Sequence, residues 1–249
     1  MILTVITPFA DILGDPQEPN MISDADSQLL FGETFEVEKS HGAYVYGRST
    51  LDGYKGFVER GQLIKNGPEA NAVINVPLTH LYPDHNFKSR PDIQLSFFSK
   101  IKLSGTTENE FSQLSSGEWI FTDHTAKLNN INLNKDLADI ASMFLNAPYL
   151  YGGRSALGID CSGLVQAAIL GTGAPCPPRD SIDQSKSIGT EVSKDKLQRN
   201  DIVFFNGHVG IMVDETNIIN ATARYMTTLI EPLSELEKAY GDITAIKRL

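Results

Sequence analysis

The apolar positions of the C-terminal half predict a buried helix. An apolar run from Leu164 to Leu170 follows Asp160-Cys161-Ser162-Gly163, which places Asp160 at the N-cap and Cys161 in the first turn. The N–H groups of a first turn have no partner within the helix and carry partial positive charge. They favour a thiolate and supply donors for an oxyanion formed beside the sulfur. The pattern predicts a reactive cysteine; the alternative is a small, inert, buried one.

A strand pattern further along the chain begins with a histidine. The strand begins at His208, directly after the turn residues Asn206-Gly207. In it, the β-branched residues Val209, Ile211 and Val213 alternate with Gly210 and Met212, the two-residue period of a strand. A histidine at the end of a rigid strand can serve as the base for Cys161 if the strand faces the start of the helix. Without the cysteine, a surface histidine after a turn is the alternative interpretation.

A second short strand supplies a candidate third member for the site. If Asp214-Glu215-Thr216 form a hairpin loop, Val213 opposes Asn217 and the strand continues to Ala221. His208 and Asn220 then project from the same sheet face as diagonal neighbours. A Cys–His pair needs a polar group that orients the imidazole, and Asn220 is the candidate. The alternative is an asparagine at the end of an edge strand that contacts only water.

The N-terminal half consists of short predicted strands with an internal repeat. The segment from Asp26 to Phe31 recurs as the segment from Asp92 to Phe97. Each copy opens with a short predicted strand that ends at a proline, and closes with a predicted strand that contains glycine and aromatic residues. Strands at this spacing predict two tandem SH3-like β-barrels. The opening segments are Val5 to Pro8 and Ile74 to Pro77, and the closing segments are Gly53 to Val58 and Gly117 to Phe121.

The 249 residues accommodate three domains in an α+β chain. We predict a first barrel at 1–66, a second at 67–128 and a catalytic domain at 129–249, in which the helix that carries Cys161 packs on an antiparallel sheet. The content of 41% hydrophobic and 21% charged residues is typical of a globular protein. The formal net charge of -10 argues against nucleic acid and anionic membranes as partners.

The two cysteines, Cys161 and Cys176, are both expected to be thiols, because a disulfide between them would consume the nucleophile. The apolar start, Met1 to Pro8, lacks the basic segment of an export signal and is better explained as a strand. We therefore expect a cytoplasmic protein.

No metal and no cofactor are expected. The remaining histidines lack zinc-site spacing, and Gly152-Gly153 and Gly171-Thr172-Gly173 are not followed by the Lys-Ser/Thr of a phosphate-binding loop. These histidines are His41, His80, His85 and His124.

From about Ile131 to Leu249 the chain resembles the NlpC family of papain-like cysteine peptidases, which cleave the peptide stems of bacterial peptidoglycan. The resemblance implies that Cys161 is the nucleophile, His208 the base and Asn220 the third member, with Tyr149 beside the centre. The third position is most often His in this family, but an amide can also accept from the imidazole N–H, so activity is expected. Asp160 and Ser162, on either side of the cysteine, are candidate substrate-binding residues. The matching segments are Pro148-Tyr149 with Tyr151-Gly152-Gly153, Gly158 to Val165, Arg199 to Phe205, and Gly207 to Ile211.

The tandem barrels resemble those that precede the peptidase in one subgroup of the family, which includes enzymes that recycle cell-wall peptides. There the first barrel closes the cleft and helps to hold a free peptide amino terminus. The family's substrate-binding Asp-Ser pair matches Asp180-Ser181, and a carboxylate suits an α-ammonium group. The alternative is that Arg179-Asp180 is an ordinary solvated pair. Candidates from the first barrel are Tyr54, Asp15, Glu18, Asp24 and Asp26.

We therefore predict a cysteine peptidase that hydrolyses the γ-D-glutamyl–diamino acid bond of peptidoglycan-derived peptides with a free N-terminal L-Ala. The expected resting state pairs a Cys161 thiolate with a protonated His208. Three alternatives stay open: a hydrolase of intact peptidoglycan, a non-catalytic protein that binds wall peptides, and another papain-like amidase or acyl transfer. The identity of the diamino acid, diaminopimelate or lysine, and the oligomeric state also stay open.

Overall fold

The computed structural model describes residues 1–14, 25–128, 131, 133 and 135–249. Contacts divide the chain into two units, Met1–Ile131 and Asn132–Leu249. The first unit consists mainly of strands, and the second combines helices with a sheet, so the α+β fold class is confirmed. The boundaries predicted at 66/67 and 128/129 stay predictions.

The first part of the N-terminal unit is a seven-stranded antiparallel sheet with its own apolar core. Its strand order is β3-β2-β6-β5-β4-β1-β7. In β2 the inward side chains of Ala10 and Ile12 are buried, whereas their neighbours are partly exposed, as the period of a half-buried strand requires. The strands are β1 (Ile2–Val5), β2 (Phe9–Leu13), β3 (Ala25–Leu30), β4 (Thr34–His41), β5 (Tyr44–Ser49), β6 (Lys55–Glu59) and β7 (Leu63–Lys65).

The second part of this unit has a separate apolar core, formed by smaller antiparallel sheets. Its strands pair as β10-β9, β11-β8-β15 and β12-β13-β14. They are β8 (Ala72–Ile74), β9 (Leu78–Leu81), β10 (Ile93–Ser96), β11 (Lys100–Ile101), β12 (Leu103–Glu108), β13 (Phe111–Leu114), β14 (Trp119–Phe121) and β15 (Thr125–Lys127).

The internal repeat is visible in equivalent backbone hydrogen bonds. The Phe31 N–H donates to the Pro8 carbonyl and the Phe97 N–H donates to the Pro77 carbonyl, both at 3.1 Å. The residue after each phenylalanine takes a left-handed φ, 74° in the first copy and 68° in the second. The opening segment was predicted as a strand up to proline, but β1 ends at Val5 and the chain then turns.

In its described residues, the C-terminal unit has a six-stranded antiparallel sheet with the order β18-β23-β19-β20-β21-β22, a separate two-stranded pair β16-β17, and four α-helices. The helices are α1 (Leu137–Ser142), α2 (Cys161–Gly171), α3 (Ser181–Ser187) and α4 (Leu233–Tyr240). The strands of this unit are β16 (Arg154–Ser155), β17 (Gly158–Ile159), β18 (Thr190–Glu191), β19 (Ile202–Phe205), β20 (His208–Met212), β21 (Asn217–Thr222), β22 (Thr227–Pro232) and β23 (Ala245–Arg248).

The packing of α2 on this sheet places the candidate site. Helix α2 contacts β20 and β21, as predicted for the helix that carries Cys161. The two-residue turn Asn206-Gly207 joins β19 to β20, with Phe205 opposite His208. Gly207 has a φ of 75°, which a residue without a side chain adopts at little cost. The turn therefore sets where β20 begins.

In the described part of the chain, no helix combines the length and apolar character needed to cross a membrane.

Candidate active site

Cys161 lies at the start of α2, as predicted. Asp160 is the N-cap, and its Oδ1 accepts a hydrogen bond of 2.7 Å from the Gly163 N–H. The backbone N–H groups of Val209 and Ser162 lie near enough to the Cys161 sulfur to favour its thiolate and lower its pKa. Since Val209 follows His208 directly, this contact brings the beginning of β20 to the nucleophile. Two predictions are therefore confirmed: Cys161 begins a helix that Asp160 caps, and this helix packs against the strand that begins with His208.

Two glycines, Gly153 and Gly163, allow the preceding loop to pack directly against the start of α2. A Cβ at Gly153 would lie 2.4 Å from the Gly158 carbonyl oxygen, and a Cβ at Gly163 would lie 2.4 Å from the Gly153 carbonyl oxygen. Because the obstructing atoms belong to the backbone, no side-chain rotation would relieve either contact. The glycines around Cys161 are therefore required by close packing.

His208 and Asn220 form a buried hydrogen-bonded pair. His208 Nε2 lies 3.0 Å from Asn220 Oδ1, and the two residues are 3% and 0% exposed. Ile211 pairs with Ile219, so the hairpin register predicted from the three-residue loop is confirmed. The alternatives of a surface histidine and of an edge asparagine bound only to water are both wrong, since burial and a direct contact exclude them.

A carboxylate behind Asn220 determines which way its amide points. Asn220 Nδ2 donates to Glu231 Oε1 at 3.1 Å, and Arg224 Nη1 donates to both Glu231 oxygens at 3.2 Å. An ionised carboxylate only accepts, so the amide NH₂ faces Glu231 and Oδ1 faces the imidazole. His208 Nε2 must then carry the hydrogen, which leaves Nδ1 as the basic nitrogen.

An aromatic ring covers one face of the imidazole. The rings of His208 and Tyr240 stack with centroids 4.1 Å apart and an interplanar angle of 12°. The Tyr240 hydroxyl lies 2.9 Å from Thr222 Oγ1, which anchors the ring at the end of α4. Sequence reasoning missed both Glu231 and Tyr240; the one available signal was a lone glutamate near the end of an otherwise uncharged strand.

Burial controls the protonation of the reactive pair. It lowers the pKa of His208 to about 4, although the hydrogen bond to Asn220 acts in the opposite direction. It also raises the pKa of Cys161 to about 12, and the nearby Asp160 carboxylate adds to this effect. The N–H groups at the sulfur oppose the rise but do not outweigh burial. Both shifts favour a thiol and a neutral imidazole, and the predicted thiolate–imidazolium pair stays a prediction.

Asp160 is held by several donors of the protein. Arg179 donates from Nη1 to Oδ1 at 3.0 Å and from Nη2 to Oδ2 at 2.5 Å. The Gly152 N–H donates to Oδ2 at 2.9 Å. Ser162 Oγ donates to Oδ1 at 3.2 Å and accepts from Arg179 Nη1 at 2.7 Å. Asp160 and Ser162 therefore connect the glycine loop to the helix; their predicted contact with substrate stays a prediction.

The Asp180-Ser181 pair lies at the start of α3. Asp180 is exposed at the N-cap position, and Ser181 is the first helical residue. Gln184 is buried and its Nε2 donates to the Ser162 carbonyl at 3.1 Å, which ties α3 to the first turn of α2. Arg179 is buried beside Asp160, so the alternative of a solvated Arg179-Asp180 pair is wrong for Arg179.

Tyr149 is half-buried near the nucleophile. Burial raises the pKa of its hydroxyl, and the nearby Asp160 carboxylate adds to the rise. Tyr54 belongs to the N-terminal unit, where it packs against the core of the first sheet. Its predicted role stays a prediction. Asp26 lies in β3, and the other acidic candidates, Asp15, Glu18 and Asp24, lie outside the described residues.

Known families match both units. The NlpC/P60 family matches residues 146–240, which include the three candidate catalytic residues. The bacterial dipeptidyl-peptidase SH3 domain matches residues 17–63. The C-terminal match therefore covers the site, and the N-terminal match covers most of the first predicted barrel.

Individual proteins agree with these matches. The γ-D-glutamyl-L-lysine dipeptidyl-peptidase of Bacillus subtilis (strain 168) is 29% identical over 245 residues, which cover 89% of this chain and 80% of that protein. The probable endopeptidase NlpC of Escherichia coli (strain K12) is 35% identical over 112 residues, or 40% of this chain and 72% of that protein. The crystal structure of a NlpC/P60 family protein from Bacillus cereus ATCC 10987 covers 100% of this chain and 99% of its own, with a TM-score of 0.84 at 21% identity. The chain belongs to the NlpC/P60 family of cysteine peptidases.

Proposed function

We propose that this protein hydrolyses the γ-D-glutamyl–diamino acid bond of cell-wall peptides that carry a free N-terminal L-Ala. The observation that carries the proposal is the buried His208–Asn220 pair, with its 3.0 Å hydrogen bond, beside a cysteine at a helix N-terminus. The substrate class is supported by the Bacillus subtilis relative, whose name specifies γ-D-glutamyl-L-lysine and whose match covers 89% of this chain.

The proposed reaction begins with the neutral pair. His208 Nδ1 takes the thiol proton as the Cys161 sulfur attacks the γ-carbonyl carbon of D-Glu, and an S–C bond forms. N–H groups in the first turn of α2 stabilise the tetrahedral oxyanion. The imidazolium then protonates the amine of the diamino acid as the C–N bond breaks. Water, deprotonated by the same imidazole, hydrolyses the thioester and releases the dipeptide.

Concerted proton transfer suits a site in which both groups are uncharged at rest. Burial lowers the pKa of His208 to about 4 and raises that of Cys161 to about 12, so each group favours its neutral form. As sulfur attacks, negative charge moves to the carbonyl oxygen. N–H donors of the first turn of α2 can stabilise that charge without a change in the fold.

Selection for a free amino terminus is assigned to Asp180, with Ser181 beside it. An exposed carboxylate at the start of α3 suits a charge-assisted hydrogen bond from an α-ammonium group, and an N-acylated peptide lacks the positive charge of that group. Tyr149 and Tyr54 are proposed as further substrate contacts, as expected from the family resemblance.

The test is mass-spectrometric detection of cleavage of L-Ala-γ-D-Glu-meso-diaminopimelate, its lysine analogue and the N-acetylated form of each. Cleavage of the free peptides alone would support the proposal, and the two analogues would rank the diamino acids. Cleavage of acetylated and free peptides at equal rates would indicate a wall hydrolase without an amino-terminal requirement. Cys161→Ala is the matched control, and undiminished hydrolysis by this variant would refute the assignment of the nucleophile.

We also propose that the protein works in a reducing compartment. Cys161 must be a thiol in the proposed reaction, and no disulfide joins it to Cys176. Fractionation of cells that express the protein, followed by thiol-specific labelling, would test this; recovery outside the cytoplasm would contradict it.

A further inference from the structure

Three successive side-chain hydrogen bonds, all buried or partly buried, lead from the candidate base to Glu231 in β22 and on to Arg224. His208 Nε2 contacts Asn220 Oδ1, Asn220 Nδ2 contacts Glu231 Oε1, and Glu231 is held by Arg224, with distances of 3.0, 3.1 and 3.2 Å. Glu231 is 7% exposed, so its contact with Asn220 is sheltered from water. The hydrogen-bonding direction along this series is set by its two charged members.

An asparagine at this position needs such a constraint. Its amide has an acceptor on one side and a donor on the other, and the two orientations are nearly equal in shape. If the amide of Asn220 rotated by half a turn, its NH₂ would face His208 Nε2, which would then have to accept. The imidazole hydrogen would move to Nδ1, and the nitrogen that should take the thiol proton could not do so.

We propose that Glu231 is a positioning residue that holds the Asn220 amide in one orientation and thereby selects the productive tautomer of His208. Arg224 fixes the Glu231 carboxylate by donating to both oxygens. Because the carboxylate only accepts, it rejects the rotated amide, whose oxygen would face it. The catalytic consequence of this inference rests on the proposed function, but the orientation of the amide and the tautomer do not.

The first part of the test changes each member of the pair by one polar atom. Glu231→Gln introduces an NH₂ that must face either Arg224 or the Asn220 amide, both of which offer donors. We expect kcat to fall by about 10- to 100-fold, a part of the roughly 10²- to 10⁴-fold that a positioned base supplies. KM should stay within about twofold, because no substrate contact changes. Asn220→Asp alone places two carboxylates at hydrogen-bonding distance and should also lower kcat.

The double variant Asn220→Asp/Glu231→Gln restores the order of donors and acceptors. Asp at position 220 accepts from His208 Nε2, the Gln NH₂ donates to that Asp, and the Gln oxygen accepts from Arg224. We expect kcat to recover above that of either single variant. The acid limb of the kcat/KM profile should move to higher pH, because a full negative charge now adjoins the imidazole. A merely structural role for Glu231 predicts neither the rescue nor the shift.

The control is Glu237→Gln, which removes the carboxylate of another ion pair in the same unit, the contact with Lys194 at 2.5 Å. Its kinetics should match those of the wild type. A readout that needs no substrate is the long-range ¹H–¹⁵N spectrum of the His208 ring, in which the wild type and the double variant should show the Nε2–H tautomer. Glu231→Gln should show a population with the hydrogen on Nδ1.

The inference is overturned if Glu231→Gln leaves the tautomer of His208 unchanged, or if the double variant shows the summed losses of the two single variants. If the wild type cleaves none of the γ-D-glutamyl peptides, the proposed function fails. The ring spectra of the wild type and of Glu231→Gln then decide the inference alone.

Discussion

Replacement of Arg179 by methionine should strongly destabilise the C-terminal unit. The Arg179 and Asp160 side chains are only 1% and 7% exposed, and the guanidinium supplies two of the hydrogen bonds to the Asp160 carboxylate. Methionine fills much of the same volume but removes the ion-pair partner that donates two hydrogen bonds to the buried carboxylate. Removing one partner of a buried pair costs about 3–5 kcal/mol, and we expect a loss in this range.

The assay is differential scanning calorimetry of the whole chain, in which the transition of the C-terminal unit is followed. For a unit of this size the expected loss corresponds to a fall in Tm of about 10 °C or more. The control is Arg199→Met, since Arg199 pairs with Asp136 and Asp139 at the surface, where 41% of its side chain is exposed. An exposed pair contributes at most about 1 kcal/mol, so this variant should shift Tm far less.

The double variant Asp160→Asn/Arg179→Met distinguishes charge from packing. The asparagine oxygen can still accept from the Gly163 N–H as an N-cap, but the uncompensated charge is gone. Its Tm should therefore lie above that of Arg179→Met. The reasoning is refuted if the Tm of the double variant lies below that of Arg179→Met. It is also refuted if Arg179→Met lowers Tm no more than Arg199→Met does, since the remaining N–H donors would then be enough for Asp160.

Three further predictions concern the reactive pair and its surroundings. Alkylation of Cys161 by iodoacetamide should be slow at pH 7 and should accelerate as the pH rises towards the thiol pKa of about 12. In a separate assay, kcat/KM should fall as the pH drops through about 4, because His208 becomes protonated. Gly163→Ala should cost about 1–3 kcal/mol and most of the activity, because its Cβ would lie 2.4 Å from the Gly153 carbonyl oxygen. Tyr240→Leu should lower kcat by loosening the imidazole, whereas Tyr240→Phe keeps the stacked ring and most of the rate.

Each of these predictions has a result that contradicts it. An alkylation rate that is independent of pH between about 5 and 9 would indicate a preformed thiolate. For the glycine, Gly61→Ala is the control, because its Cβ would meet only the Glu59 carboxylate at 3.8 Å; equal unfolding temperatures for the two variants would exclude the packing argument. Equal rates for the leucine and phenylalanine variants would remove the Tyr240 ring from the positioning of His208.

The parts of the site that could be predicted depend on short stretches of sequence. Asp160 caps the helix three residues before the N–H that it binds, and a three-residue loop sets the register that brings Asn220 beside His208. Capping and hairpin rules act over such distances, so they apply before the fold is known. The internal repeat was equally accessible, because the equivalent segments share residue types as well as strands.

The parts that could not be predicted depend on which polar side chains become buried together. Arg179 follows two prolines and precedes an aspartate, a setting typical of a solvated loop, yet it lies against Asp160. Glu231 and Tyr240 reach the His–Asn pair from a neighbouring strand and from the end of α4. No local rule specifies a contact that only the assembled sheet and helices create.

At Cys161, burial and the helix N-terminus act on the same thiol in opposite directions. The helix N-terminus and the N–H groups of Ser162 and Val209 do favour the thiolate, as the sequence suggests, but burial acts against them and is the larger effect. The N-cap that starts the helix, Asp160, adds a negative charge beside the sulfur and raises the thiol pKa further. Arg179 opposes that charge, so the same guanidinium that stabilises the buried carboxylate also limits its effect on the nucleophile. Stability and reactivity are thus coupled through one ion pair, and Arg179→Met should slow the alkylation of Cys161 even under conditions in which the variant is fully folded.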